Sequence, residues 1–227
     1  SARFEGIGGE VVVRVSGGGG RITVLYESRP ISQISEYCPV RFAAVLTVEG
    51  LEPRADFLGA ADDGLLERAR QAALGAIVRV LEAAAMAESG SRPPKGLSCH
   101  DPDAVIPDRA WPLIEFVSSV VGRPAHTLQG PLAHHPMFEV LEGEADQVVT
   151  RRASLRELCE APRLLAVPSQ ISFVPEGEIA LVRPRIGEVE PALGRRLIRY
   201  SAGAPTTAAL LLEGAAADPK PHLEREA

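Results

Sequence analysis

Four of the five histidines, His100, His126, His134 and His135, lie within one stretch of 36 residues that also holds Asp101, Asp103 and Asp108 and is directly preceded by Cys99. Imidazole, thiolate and carboxylate are the groups that bind divalent metals or move protons near neutral pH. Zinc would take Cys and His ligands in a tetrahedral array, and non-haem iron two histidines and a carboxylate. Cys99, His100, Asp101, His134 and His135 carry the required atoms. Their spacing, however, supplies no H-x-x-x-H, H-x-H or C-x-x-C pair. Neighbours such as His134 and His135 point to opposite sides of an extended backbone, so one of them at most would serve. General acid/base chemistry asks for less: one of His100, His126, His134 or His135 working with Asp101. A nucleophilic Cys99 would draw its base from His126, His134 or His135, because the adjacent His100 has the wrong geometry. Taken singly, each histidine on these proline-rich loops is accounted for by local capping or hydrogen bonding. Together, the four favour a functional loop surface.

The charge pattern suggests what such a surface would hold. The chain carries −6 overall, and only Lys95 and Lys220 are lysines among its 24 basic residues. Residues 101–150 hold eight acids against Arg109 and Arg123, whereas residues 151–200 hold nine arginines against six acids. Guanidinium pairs bidentately with carboxylate and phosphate, so Arg183, Arg185 and Arg196 are candidates for binding a small anionic ligand opposite the histidines. Alternatively, the arginines of this half pair with Glu157, Glu160, Glu188 and Glu190 on solvated faces. A run of acids from Glu139 through Glu142 and Glu144 to Asp146 reads as a solvated face.

Composition narrows the classes further. A hydrophobic content of 45% with 24% charged residues is that of an ordinary globular protein. An acidic chain without a basic stripe interleaved with aromatics does not favour nucleic acid. No apolar run spans a bilayer, the first nine residues do not form a signal peptide, and Cys38, Cys99 and Cys159 are too scattered for a disulfide framework. The expectation is a cytoplasmic protein, with arginine-over-lysine usage suggesting a GC-rich bacterial genome. Its leading functional form is an enzyme acting on a small anionic molecule by His-based acid/base or metal-assisted chemistry, with a divalent metal as the one candidate cofactor. The competing form is a non-catalytic assembly or regulatory subunit, a homo-oligomer or part of a hetero-complex, as an Ala-rich helix and a polar tail would suit.

These residues need a scaffold, and the expected fold class is α+β. Glu10–Val15 and Arg21–Glu27 read as strands joined by a hairpin turn through the glycines of Ser16–Gly20, which lack the G-K-[ST] of a phosphate loop. Ile31–Tyr37 reads as a short helix or turn, Arg41–Val48 as a strand and Arg54–Leu58 as a further one. Asp63–Glu88 has the composition of a long helix, capped by Asp62 or Asp63. Leu66, Ala69, Ala73, Ile77, Val80 and Leu81 mark the face packed on an antiparallel N-terminal sheet. A linker rich in Ser, Gly and Pro follows over residues 89–107, then a helix over Asp108–Val121, a strand over Met137–Leu141 and a short helix over Ser154–Cys159. Strands over Arg163–Val167, Gln170–Val174, Glu178–Val182, Leu197–Tyr200 and Thr207–Leu212 complete a second antiparallel sheet. The expected division is an N-terminal unit over 1–90, a C-terminal unit over 91–213 and a polar tail over 214–227.

Over residues 30–83 the order of short helix, strands and Ala-rich helix resembles a double-stranded RNA-binding domain. That family opens its last helix with a basic patch, where this chain has Asp62-Asp63-Gly64-Leu65-Leu66-Glu67, which would repel phosphate. The resemblance therefore extends to topology and not to RNA binding.

Overall fold

The computed structural model describes residues 6–14, 17–56, 59–88, 110–144, 147–167, 174–175 and 177–199. The architecture is α+β: two sheets and five helices, with a long helix packed on the N-terminal sheet. The chain divides into two compact units, one covering Ser1–Met137 with Ser154–Arg156 and the other Phe138–Ala153 with Glu157–Ala227.

In the first unit, β1 (Ile7–Arg14), β2 (Gly20–Tyr26), β3 (Arg29–Glu36) and β4 (Arg41–Val48) form a sheet of order β1-β4-β2-β3. β1 is antiparallel to β4 and β2 to β3, while β2 and β4 run parallel. The glycine run is therefore not a hairpin turn, because β4 lies between the strands that it connects. Both connections, β1 to β2 and β3 to β4, leave the same end of the sheet and must pass one another there. The Gly19 N–H donates to the Cys38 carbonyl at 2.7 Å, and a Cβ on Gly18 would stand 3.1 Å from that same oxygen. Chain connections seldom cross in this way, and residues without side chains permit the close approach.

β3 replaces the short helix expected at Ile31–Tyr37. The Ile31–Ile34 spacing after Pro30 imitates a helical period, but Ile22 pairs with Ile34 and the strand is drawn into the sheet by β2. The tight turn between Tyr26 and Arg29 uses Glu27 at φ 45° and Ser28 at φ 66°, both in the left-handed region, without the Asn-Gly that usually announces such a turn. With β3 a strand, the topology departs from the double-stranded RNA-binding pattern at its first element. At Arg54–Leu58 the described residues form no strand; Pro53 and Ala60 make one isolated bridge instead.

α1 (Asp63–Glu88) runs where its composition places it. The Asp62 carboxylate accepts the Gly64 and Leu65 amides at 2.8 and 3.1 Å, satisfying donors that the helix itself leaves open. Ala69, Ala73, Ile77 and Leu81 are fully buried, and the helix packs on β1, β2 and β4. Ala72, Leu74, Val78 and Ala83–Ala85 are buried too, because a second layer made by α2 (Ala110–Val121) and α3 (Pro131–His134) also lies against α1. Arg70 fastens the helix to β3 by a bidentate pair with Glu36, its Nη2 donating at 3.0 Å, and Glu67 is a second partner at 2.9 Å.

The second unit carries β5 (Pro136–Glu144, begun in the first unit), β6 (Gln147–Ser154), β7 (Leu164–Val167), β8 (Ile179–Val182) and β9 (Ile198–Arg199), in the order β6-β5-β8-β7-β9. β5 is antiparallel to β8, and β7 runs parallel to both β8 and β9. Leu141, Leu165, Val167, Val174 and Ala180 form its core. β7 is buried at every position, as its unbroken Leu-Leu-Ala-Val requires between two neighbours. α4 (Leu155–Glu160) falls close to its expected place, whereas α5 (Ile186–Leu193) was not expected, since Gly187 and Pro191 interrupt its helical pattern. The strands expected at Gln170–Val174 (Val174 apart) and Thr207–Leu212, and the tail from Gly214, lie outside the described residues.

Candidate functional site

The residues singled out from the sequence fall into three groups. Cys99, His100, Asp101, Asp103 and Asp108 lie outside the described residues. His126, on a 3-10 turn over Ala125–Thr127, and His134, at the end of α3, are exposed, whereas His135 is buried. His134 is the last helical residue of α3, and the extended backbone begins at His135 (φ −76°, ψ 130°). Among the described residues no three His, Cys, Asp or Glu side chains converge as a metal site would require.

The candidate anion-binding arginines belong to the other compact unit. Arg183 follows β8 with φ 47°, its N–H donating to the Val167 carbonyl at 2.7 Å. Arg185 precedes α5 and pairs with Glu188 at 3.3 Å, and Arg196 is exposed ahead of β9. Three other arginines of this half hold structural contacts. Arg151 bridges Glu142 and Glu157, Arg163 pairs with Glu178 at 2.9 Å, and Arg195 donates to the carbonyls of Cys159, Ala161 and Pro162 at the end of α4. Such a guanidinium closes a helix end whose carbonyls lack intrahelical donors.

The first unit holds a cavity of about 100 Å³ between α1, α2 and the segment leading to α3. Ile114, Val117, Leu128 and Leu132 give it apolar walls, and Glu82, Arg123 and Gln129 supply its polar atoms. No histidine lines it. Desolvation raises the Glu82 carboxyl above its ordinary value of 4.5, with Arg79 opposing the shift. A carboxyl so raised favours its protonated form in the folded protein, and the associated stability is present below the unfolded value and lost as pH rises through the folded one. Glu82→Gln is therefore expected to be more stable than the parent at neutral pH, with the difference vanishing below about pH 4.5. Urea unfolding across a pH series checks this; a constant difference would show that the carboxyl is not desolvated.

Among the described residues β1 has a strand neighbour on one side only, β4. Val12 is 55% exposed and its sheet neighbour Val45 45% exposed. The Glu49 N–H donates to the Gly6 carbonyl at 2.7 Å, in register with the Ile7–Val48 pair. Hydrogen-bonded pairs alternate along an antiparallel ladder. Gly8, Glu10, Val12 and Arg14 consequently bond to β4, while the amides and carbonyls of Gly9, Val11 and Val13 point out of the sheet. Of the other edges, β3 is interrupted by Pro30 and by a register shift between Val24 and Leu25, and β9 is two residues long. Both β1 and β6 carry charged residues, Glu10 and Arg14 on the first and Arg151 and Arg152 on the second.

An α+β chain in which, among the described residues, β1 ends its sheet is thus the class that the fold defines. Comparison with protein-family models, with curated proteins and with solved structures finds no match to this chain. No helix among the described residues is long and apolar enough to cross a membrane.

Proposed function

We propose that this chain is a non-catalytic assembly or regulatory subunit that takes a protein partner as an added strand on β1. The observation that carries the reading is the eight-residue β1 at the end of its sheet, without a second strand neighbour among the described residues and with outward-facing backbone groups at Val11 and Val13 beside the exposed Val12. An extended partner strand would gain main-chain hydrogen bonds there and find apolar side chains on the adjoining face. Val11→Pro removes one outward N–H without touching the ladder to β4. In extracts of cells making the chain at its natural level, native size analysis is expected to find the parent in a larger assembly and the variant at lower mass. Identical profiles would refute the reading.

The catalytic alternative, acid/base or metal-assisted chemistry on a small anionic molecule, draws on one observation. The Glu82 cavity is lined by Leu128, Gln129, Leu132 and Ala133, which follow His126 and precede His134, and it joins a desolvated carboxyl to Arg123. Stoichiometric zinc, iron, manganese or nickel in the gently purified protein would favour its metal branch.

A further inference from the structure

We infer that the strand added to β1 is the β1 of a second copy, paired antiparallel about a two-fold axis at Val12. This rests on the reading of β1 as the docking edge and names its partner. A continuous ladder needs the outward groups of one copy to meet those of the other, so odd-numbered residues must pair with odd. Self-pairing registers are then limited to a few. Centred on Val12, Val11 of one copy faces Val13 of the other, and the reciprocal pair makes the same bonds, giving an isologous contact. The even-numbered residues fall in the closely spaced, non-hydrogen-bonded positions. Val12 meets its own copy, and Glu10 stands opposite Arg14 on both sides of the axis.

Charge selects this register. Centring on Val11 sets Glu10 against Val12, and centring on Val13 sets Arg14 against Val12. Shifting the centre to Glu10 or Arg14 places like charges directly opposite each other, which destabilises a pair of strands. The register centred on Val12 alone joins each acid to a base, and it also brings together the two most exposed β1 valines. Glu10, Val12 and Arg14 share the sheet face opposite α1 with Val45, the partner of Glu10 on β4. The result is one eight-stranded sheet in which neither copy leaves its β1 edge open.

The test uses the full chain in sedimentation velocity and light scattering over a concentration series. The expected result is a monomer–dimer equilibrium. Glu10→Arg and Arg14→Glu, made singly, each place like charges opposite each other twice and should weaken the dimer at least about tenfold. The double exchange Glu10→Arg with Arg14→Glu restores the opposite pairs and should return affinity to within about threefold of the parent. A chain that stays monomeric throughout, or a double exchange no tighter than either single one, overturns the pairing. Should the chain be monomeric while Val11→Pro still lowers the mass of the assembly in extracts, self-pairing fails and the docking edge stands with another partner. Should both experiments show no change, both readings fall.

Discussion

Gly20→Ala is expected to cost about 3 kcal/mol or more of folding stability, from the addition of one methyl group. Gly20 opens β2 and pairs in parallel with Phe42 on β4. A Cβ there would lie 2.5 Å from the Phe42 carbonyl oxygen and would also enter its ring, which is itself in the core. Neither obstacle yields cheaply. The ring is packed beneath the sheet, and the carbonyl belongs to a strand hydrogen-bonded on both sides. Gly50→Ala separates this clash from backbone strain: Gly50 has φ 77° but open space around it, so its replacement should cost only about 1 kcal/mol. Urea unfolding of both variants against the parent measures the difference. A Gly20→Ala penalty no larger than that of Gly50→Ala would show that β2 and β4 are not in this contact.

The glycine run illustrates what could be read from the sequence and what could not. Four glycines between two β-branched segments announce that the chain turns, and that much is visible in one dimension. Which strands the turn joins depends on β4, which enters the sheet twenty residues later and separates β1 from β2. The same limit hides β3. Its turn residues, Glu27 and Ser28, adopt left-handed backbone conformations that their own chemistry does not favour, so only pairing with β2 fixes them. By contrast, α1 is legible from Asp63 to Glu88, because its cap, composition and apolar spacing are all local. β4 is legible for a similar reason: the apolar run of Arg41–Val48 is closed locally by the turn-forming Glu49-Gly50. α5 lies between these cases. Pro191 and Gly187 oppose a helix locally, and an αL Gly194 together with burial of Val189 and Leu193 stabilises it nonetheless.

For the candidate site, residue chemistry drew attention to the histidines, while the feature best supported by geometry is backbone. An open strand edge has no signature in side-chain types, since its reactive groups belong to every residue alike. Only the strand order reveals that β1 ends the sheet, and only the Gly6–Glu49 bond reveals which residues face outward. Glu10 and Arg14 were unremarkable in the sequence. Their spacing acquires meaning once Val12 is an axis. The arginine-rich half shows the converse, because Arg151, Arg163 and Arg185 of its conspicuous composition resolve into ion pairs and Arg195 into a helix cap.

Ile77→Ala is expected to destabilise the first unit by about 2–5 kcal/mol, the range for removing most of a large aliphatic side chain from a core. Ile77 is wholly buried and sits midway along α1, on the stripe with Ala69, Ala73 and Leu81 that faces the sheet. The other side of the helix is also covered, by α2 and α3, so α1 cannot shift to fill the space without disturbing its second layer. Alanine's better helix propensity recovers only about half a kcal/mol and does not alter the sign. Ile77→Val should cost about 0.5–1.5 kcal/mol, and Arg68→Ala, on the exposed side, should stay within about 0.5 kcal/mol. That graded order, read by urea unfolding, distinguishes lost core packing from a general effect of alanine on the helix, which would change Ile77→Ala and Arg68→Ala by similar amounts. An Ile77→Ala penalty below that of Ile77→Val would remove the stripe from the core. Because α1 packs against β1 as well as β2 and β4, the same variant also tests whether the docking edge depends on this helix for its support. Loss of the dimer at temperatures where Ile77→Ala remains folded is the result expected if packing beneath β1 holds that strand straight.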